Sequence, residues 1–165
     1  MAVPARHGPF ILALRQRRAM HAVLQLFLLI AAPLASIAGE KSDAERAGLV
    51  ALTFINSYVK ASDSRGWDSL KWVCRSPVAT EHFKRALAKL YGDALKTDPE
   101  VGYDADAVIS GNGCPDHFNL KSSKVSGEKA HVVLIGSQDF PKELNVALVK
   151  SGKKWLVDGS GVLAK

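Results

Sequence analysis

Two aspartates, Asp104 and Asp106, stand one residue apart in the chain. On a strand that spacing turns both side chains to one face. Two acids on one face suit an acid/base pair or a weak cation site; the alternative is a solvated strand end. The donors available to join them are Tyr58, Tyr91, Tyr103 and His131. An isomerase-type site needs a carboxylate base and an oxyanion donor converging in one pocket, and these residues are the material for it. Asp116 and Asp139 are the other acids of this region. His131 lies in a β-branched run, where it is either an inward base or a hydrogen-bonded rim residue. His82 and His117 sit in polar contexts and are expected at the surface.

Other chemistries lack their patterns. Gly159-Ser160-Gly161 is a glycine-flanked serine without the five-residue elbow or a following helix, so it reads as a turn. Gly111-Asn112-Gly113 has no phosphate-binding lysine after it. No catalytic set, cofactor motif or metal site is therefore assigned. Cys74 and Cys114 supply too few ligands for a metal. They read instead as a disulfide, because an even pair in an exported chain usually closes. The loop so closed has 41 residues, worth roughly 4 kcal/mol in the chain-entropy model. Trp67 and Trp72 flank a short apolar segment as an aromatic docking surface or as core.

Export is the reading of the first 38 residues. They carry Arg6, Arg15, Arg17 and Arg18 and no acid, then an apolar run of 11 residues, Ala22–Ala32. Pro33 follows, and Ser36-Ile37-Ala38 offers small residues for cleavage before Gly39, the pattern of a secretory signal. A membrane span needs about 20 apolar residues, so no permanent span is expected. Met20 directly precedes the compact form of this signal and is the alternative start to Met1. The domain organisation is thus a signal over 1–38 and one domain over 39–165, in the periplasm or secreted. The formal charge of the whole chain is +6; removing the leader's four arginines from the 22 basic residues leaves 18 against 16 acids, a net of +2. A nearly balanced domain with no long basic run excludes a phosphate-tracking surface, so no nucleic-acid partner is expected.

The elements that must position the candidate residues divide into a helical half and a strand-rich half, an α+β order. Ser42-Asp43-Ala44-Glu45 is a capping box, and Ala47, Ala51, Phe54, Ile55 and Tyr58 follow at helical spacing to about Lys60. A short helix is predicted over Trp67–Val73. Ser76-Pro77 reads as the start of a third helix, whose stripe is Phe83, Leu87, Leu90, Tyr91 and Ala94. Strands are predicted at Phe118–Val125, His131–Ile135, Leu144–Val149 and Trp155–Val157, with a further short strand over Tyr103–Ser110.

The opening helix with Phe54 and Tyr58, the helix with Leu87 and Leu90, the Asp98-Pro99 linker and the closing Trp155-Leu156-Val157-Asp158 together resemble bacterial envelope proteins of the domain of unknown function 3828 family, the YbjP-like lipoproteins among them. The resemblance covers about residues 44–160. It implies N-terminal helices on a curved three- to four-stranded antiparallel sheet, the cone of the nuclear-transport-factor-2-like, cystatin-like superfold. Two departures stand out: this chain lacks the lipid-attachment cysteine, and Asp158 is followed by Gly159 rather than a second acid. The family implies no mechanism. The functional expectation is a non-catalytic domain that binds a protein partner or small ligand, an immunity- or inhibitor-like protein being one version. The alternative is an isomerase- or dehydratase-type enzyme whose pocket holds Tyr58, Tyr103, Asp104, Asp106 and His131.

Overall fold

A computed structural model describes residues 41–165; the leader, its cleavage site and the choice between Met1 and Met20 lie outside these. Three α-helices precede four strands: α1 (Asp43–Ser62), α2 (Ser69–Arg75), α3 (Glu81–Thr97), β1 (Phe118–Ser126), β2 (Lys129–Gly136), β3 (Glu143–Ser151) and β4 (Lys154–Ser160), closed by a 3-10 turn, Gly161–Leu163. The sheet is an antiparallel meander in the order β1-β2-β3-β4. The α+β arrangement expected from the sequence is the one observed.

The capping box forms as read: Ser42 Oγ accepts from Glu45 N at 3.2 Å, and Glu45 Oε2 accepts from Ser42 N at 2.7 Å. The stripe Ala47, Ala51, Phe54, Ile55 and Tyr58 is buried against the sheet. Gly48 permits the close approach of α1 to β1, since a Cβ there would meet Leu120 Cδ2 at 2.9 Å. Asn56 then takes the place of a missing strand neighbour. Its amide accepts from Phe118 N at 2.8 Å and donates to Phe118 O at 3.0 Å, so both backbone groups at the start of edge strand β1 are satisfied.

The strands alternate as half-covered strands should. Ala130, Val132 and Leu134 of β2 and Leu144, Val146 and Leu148 of β3 face the helices and are buried. Register shifts leave Lys121 in β1 and Asp158 in β4 unpaired. Such bulges bend a strand and add twist.

Two predicted elements are corrected. Helix α3 begins four residues after Pro77, capped by Thr80, whose Oγ1 accepts from Phe83 N at 3.0 Å. Ser76 instead ends α2. Pro77 and Val78 turn the chain, and Ala79 then makes a parallel bridge to Val157 on the edge of β4: Val157 N donates to Val78 O at 2.8 Å, and Thr80 N donates to Val157 O at 2.9 Å. This bridge interrupts the open edge of β4 at its centre, one way in which edge strands are protected from pairing with other chains. The second correction is Tyr103–Ser110, which is a chain of turns rather than a strand.

Candidate functional site

The turn segment after α3 carries the candidate acids, and its backbone explains what becomes of them. Asp106 Oδ1 accepts from Val108 N at 2.8 Å and from Ile109 N at 3.2 Å, a side-chain turn that competes with any strand ladder. This folds Ala107, Val108 and Ile109 inward, where all three are buried. Without a strand, the two-residue spacing no longer puts Asp104 and Asp106 on one face. Asp104 is exposed, while Asp106 is half-buried. The expected acid pair is therefore not formed.

Asp106 meets Tyr58 instead, from 48 residues upstream. The Tyr58 hydroxyl donates to Asp106 Oδ2 at 2.5 Å. Ser69 Oγ lies 2.6 Å from the same phenol oxygen. Tyr58 has a single hydroxyl proton, committed to the carboxylate, so Ser69 donates to it. The Tyr91 hydroxyl in turn donates to Ser69 Oγ at 3.3 Å. The result is a chain Tyr91–Ser69–Tyr58–Asp106 that runs across α3, α2, α1 and the turn segment. Burial, reinforced by the Asp106 carboxylate, pushes the Tyr58 phenol well above its ordinary range. Burial also raises Tyr91. Both phenols are held neutral and act as donors.

Tyr58 is fully buried and surrounded by rings. Trp67 and Trp72 contact it edge-on with centroids at 5.0 and 5.3 Å, and Phe54 meets Trp72 at 5.2 Å. Both tryptophans are half-buried, so each serves the core on one side and a surface cleft on the other.

One such cleft, of about 490 Å³, opens between α2, the end of α3 and the turn segment, with Trp67, Leu70, Tyr91, Leu95, Tyr103 and Asp106 in its walls. Tyr91 and Tyr103 are ring neighbours, with centroids 5.7 Å apart and a 48° tilt. Leu95 and Val101 are more than half exposed at its rim. Of the residues singled out in the sequence, Trp67, Tyr91, Tyr103 and Asp106 line the cleft and Tyr58 lies beneath it. Ser69, which joins the two tyrosines, carried no signal of its own: it is one serine among many until the fold places it between two phenols.

His131 is not part of this site. It is exposed and pairs across the sheet with Lys124 and Ala147, on the face turned away from the helices, so its imidazole is neither an inward base nor near a candidate tyrosine. A separate hollow of about 310 Å³ on that face is lined by Lys124, Lys129, His131, Asp158 and Lys165 among others.

A second histidine stands near a hydroxyl and a carboxylate, and its geometry fails the nucleophile test. Thr80 Oγ1 donates to Asp158 Oδ1 at 2.5 Å, and His82 Nδ1 is 3.3 Å from the same oxygen. A relay needs the imidazole between hydroxyl and acid. Here both groups converge on the acid, and Thr80 is occupied as a helix cap.

The bridge expected between Cys74 and Cys114 is not formed; both are free thiols. Val73 is the one residue of α2 that is fully buried, and the next helical position is rotated by about 100° away from it, which leaves Cys74 in solvent. Cys114 is half-buried before β1, and its Sγ donates to Pro115 O at 3.3 Å. Burial, helped by the charge of Asp106, raises its thiol above the ordinary value. Among the described residues no three His, Cys, Asp or Glu side chains gather to hold a metal ion, and no helix is long and apolar enough to cross a membrane. Compared with known proteins, the chain matches no family model, no curated protein and no solved structure.

Proposed function

We propose that the chain is an exported, non-catalytic binding domain of the periplasm or cell exterior, and that it takes a small planar ligand in the cleft beside Tyr91 and Tyr103. The carrying observation is the pairing of Tyr58 with Asp106. A general base and an oxyanion donor must converge on substrate with capacity to spare. Here the donor is spent on the acid. Asp106 accepts three hydrogen bonds from its own chain, out of roughly four acceptor positions on a carboxylate. The other groups facing the cleft are aromatic and apolar walls, a few hydroxyls and the Asp68 carboxylate, which is paired with Lys71, the make-up of a recognition site. The sequence reading of a leader supports the exported setting.

The test is ligand-observed NMR with indole and phenol as planar probes. Saturation transfer is expected with the wild-type chain and is expected to be lost in Tyr103→Ala, which removes a half-exposed ring and leaves the core intact. No transfer in the wild type, or transfer unchanged by Tyr103→Ala, would overturn the reading.

A further inference from the structure

The other flank of α2 holds a longer groove, and its two ends differ in chemistry. The apolar end, of about 350 Å³, lies between α1 and the residues that follow α2, with Leu49, Val50, Phe54, Trp72 and Val78 in its walls. No charged side chain lines it. The other end, of about 480 Å³, is lined by Arg65, Lys71 and Arg75 together with Trp67 and Trp72. Trp72 and Ser76 belong to both, so the two ends adjoin. They also lie end to end along one helix. Thr53 and Ser57 line the apolar part and Ala61 the cationic part, each four residues after the last, a spacing that keeps them on one face of α1. From Leu49 to Ala61 that face runs about 18 Å.

The charges at the cationic end are unbalanced. Lys71 pairs with Asp68 at 2.9 Å, and Asp68 is the single acid in the lining. Arg65 and Arg75 are exposed and have no acidic partner among the described residues. Arginine presents a planar fork of donors suited to a carboxylate, sulfate or phosphate. The two guanidinium groups thus face one end of a groove whose other end wants methylene groups. An extended peptide would suit it poorly, because α1 and α2 keep their backbone groups paired internally and offer no ladder to add to. An alkyl chain asks for no such partners.

From these two ends we infer that the α1–α2 groove is a binding site for a single-chain amphiphilic anion, its alkyl chain laid along Leu49, Phe54 and Trp72 and its acidic head between Arg65 and Arg75. The cleft at Tyr103 adjoins the cationic end at Trp67 and Asp68, which line both, but Arg65, Arg75 and the whole apolar end line the groove alone. The inference does not depend on that cleft being occupied.

Two tryptophans in the walls give the test an optical readout. The full chain is titrated with dodecanoate below its micellar concentration, followed by tryptophan fluorescence and calorimetry, beside acetate for the head alone and dodecyl maltoside for the chain alone. Dodecanoate is expected to saturate a single site, acetate to give no change, and dodecyl maltoside to bind at least about tenfold more weakly, the worth of one charge-assisted contact. The double variant R65Q/R75Q changes two exposed side chains and is expected to weaken dodecanoate about tenfold without touching dodecyl maltoside. Leu49→Ser is expected to weaken both, and Tyr103→Ala neither. Equal dodecanoate affinity in wild type and R65Q/R75Q would overturn the proposal, as would an absence of saturable binding. Binding of both amphiphiles alike would reduce the groove to an apolar surface with no anion preference, and would likewise refute it.

Discussion

The hydroxyl of Tyr58 donates to the carboxylate of Asp106 at 2.5 Å, and this contact joins the C-terminal part of α1 to a segment that has no regular structure of its own. Asp106 then holds Val108 and Ile109 through their backbone amides. The aromatic core and the wall of the cleft are in this way fixed by one carboxylate.

Removing that donor should be costly in a specific way. Tyr58→Phe leaves Asp106 Oδ2 and Ser69 short of a partner in a half-buried setting, which costs about 1–3 kcal/mol. Asp106→Asn keeps an oxygen for the two amides but turns a donor toward the phenol, at a similar cost. Because both changes break the same contact, the double variant is expected to be less destabilised than the sum of the two, by at least about 0.5 kcal/mol. Urea unfolding of the four proteins measures the cycle. Strict additivity would mean that the pair contributes nothing jointly.

How much of this was legible in the sequence differs by element, for physical reasons. Helix α1 and the strands announce themselves locally, through a capping box, a 3.6-residue stripe and β-branched alternation. The start of α3 does not, because Ser76-Pro77 has the chemistry of a cap and first turn, yet Ala79 just beyond it pairs with Val157, a partner on the last strand that no local pattern reveals. The turn segment departs from its local pattern for a related reason. Asp104 and Asp106 alternate as a strand would, but the side chain of Asp106 captures its own downstream amides. The candidate site is half visible: Tyr58, Tyr91, Tyr103 and Asp106 stand out by type. Their true relation, with Ser69 between two phenols and His131 on the far face of the sheet, exists only in three dimensions.

Gly161 supplies a second test of how the turn segment is held. It sits at φ +59°, and a Cβ there would press on the carbonyl oxygen of Ala107 and lie 2.7 Å from that of Val108. The same corner binds the segment: Ser160 Oγ donates to Val108 O at 2.7 Å, and Val162 N donates to Ala107 O at 3.1 Å. Gly161→Ala is expected to cost about 3 kcal/mol or more, combining the left-handed backbone with overpacking. Gly127 and Gly152 have similar φ values but open space around them, so Gly127→Ala and Gly152→Ala should cost only about 1–2 kcal/mol. Thermal melts that show equal losses at all three positions would contradict the close packing of the C-terminal turn on Ala107 and Val108.

The cysteines allow a direct chemical check. With Cys74 in solvent and Cys114 half-buried and raised in pKa, the native full chain without reductant should release two equivalents from a disulfide thiol reagent. One phase should be fast and one slow, since the thiolate is the attacking form. Cys74→Ser should abolish the fast phase alone. No reactive thiol in the unreduced protein would restore the bridge that the export reading favoured.

Asp43 gives the fold a pH dependence whose direction is fixed by its partners. Its Oδ2 accepts from Lys150 Nζ at 2.7 Å, and its Oδ1 accepts from Arg46 at 2.7 Å and from Trp155 Nε1 at 3.3 Å. The first turn of α1 is thereby tied to the β3–β4 hairpin. The Lys150 contact first, then Arg46 and Trp155, hold the carboxyl at about 2, below the ordinary aspartate value of about 3.9. A carboxyl whose pKa is lower folded than unfolded takes up its proton more readily in the unfolded chain. Its contribution is therefore fully present above about pH 4 and is lost as the pH falls through about 2. Wild type should be more stable than Asp43→Asn at neutral pH, with the gap closing across that window. Lys150→Met should narrow the same gap at neutral pH, since it removes the principal partner. Urea midpoints recorded for the three proteins between about pH 6 and pH 2 decide the matter. A wild-type to Asp43→Asn difference that stays constant over that range would mean that the carboxyl titrates alike in both states and that the tie to the hairpin carries no charge-dependent stability.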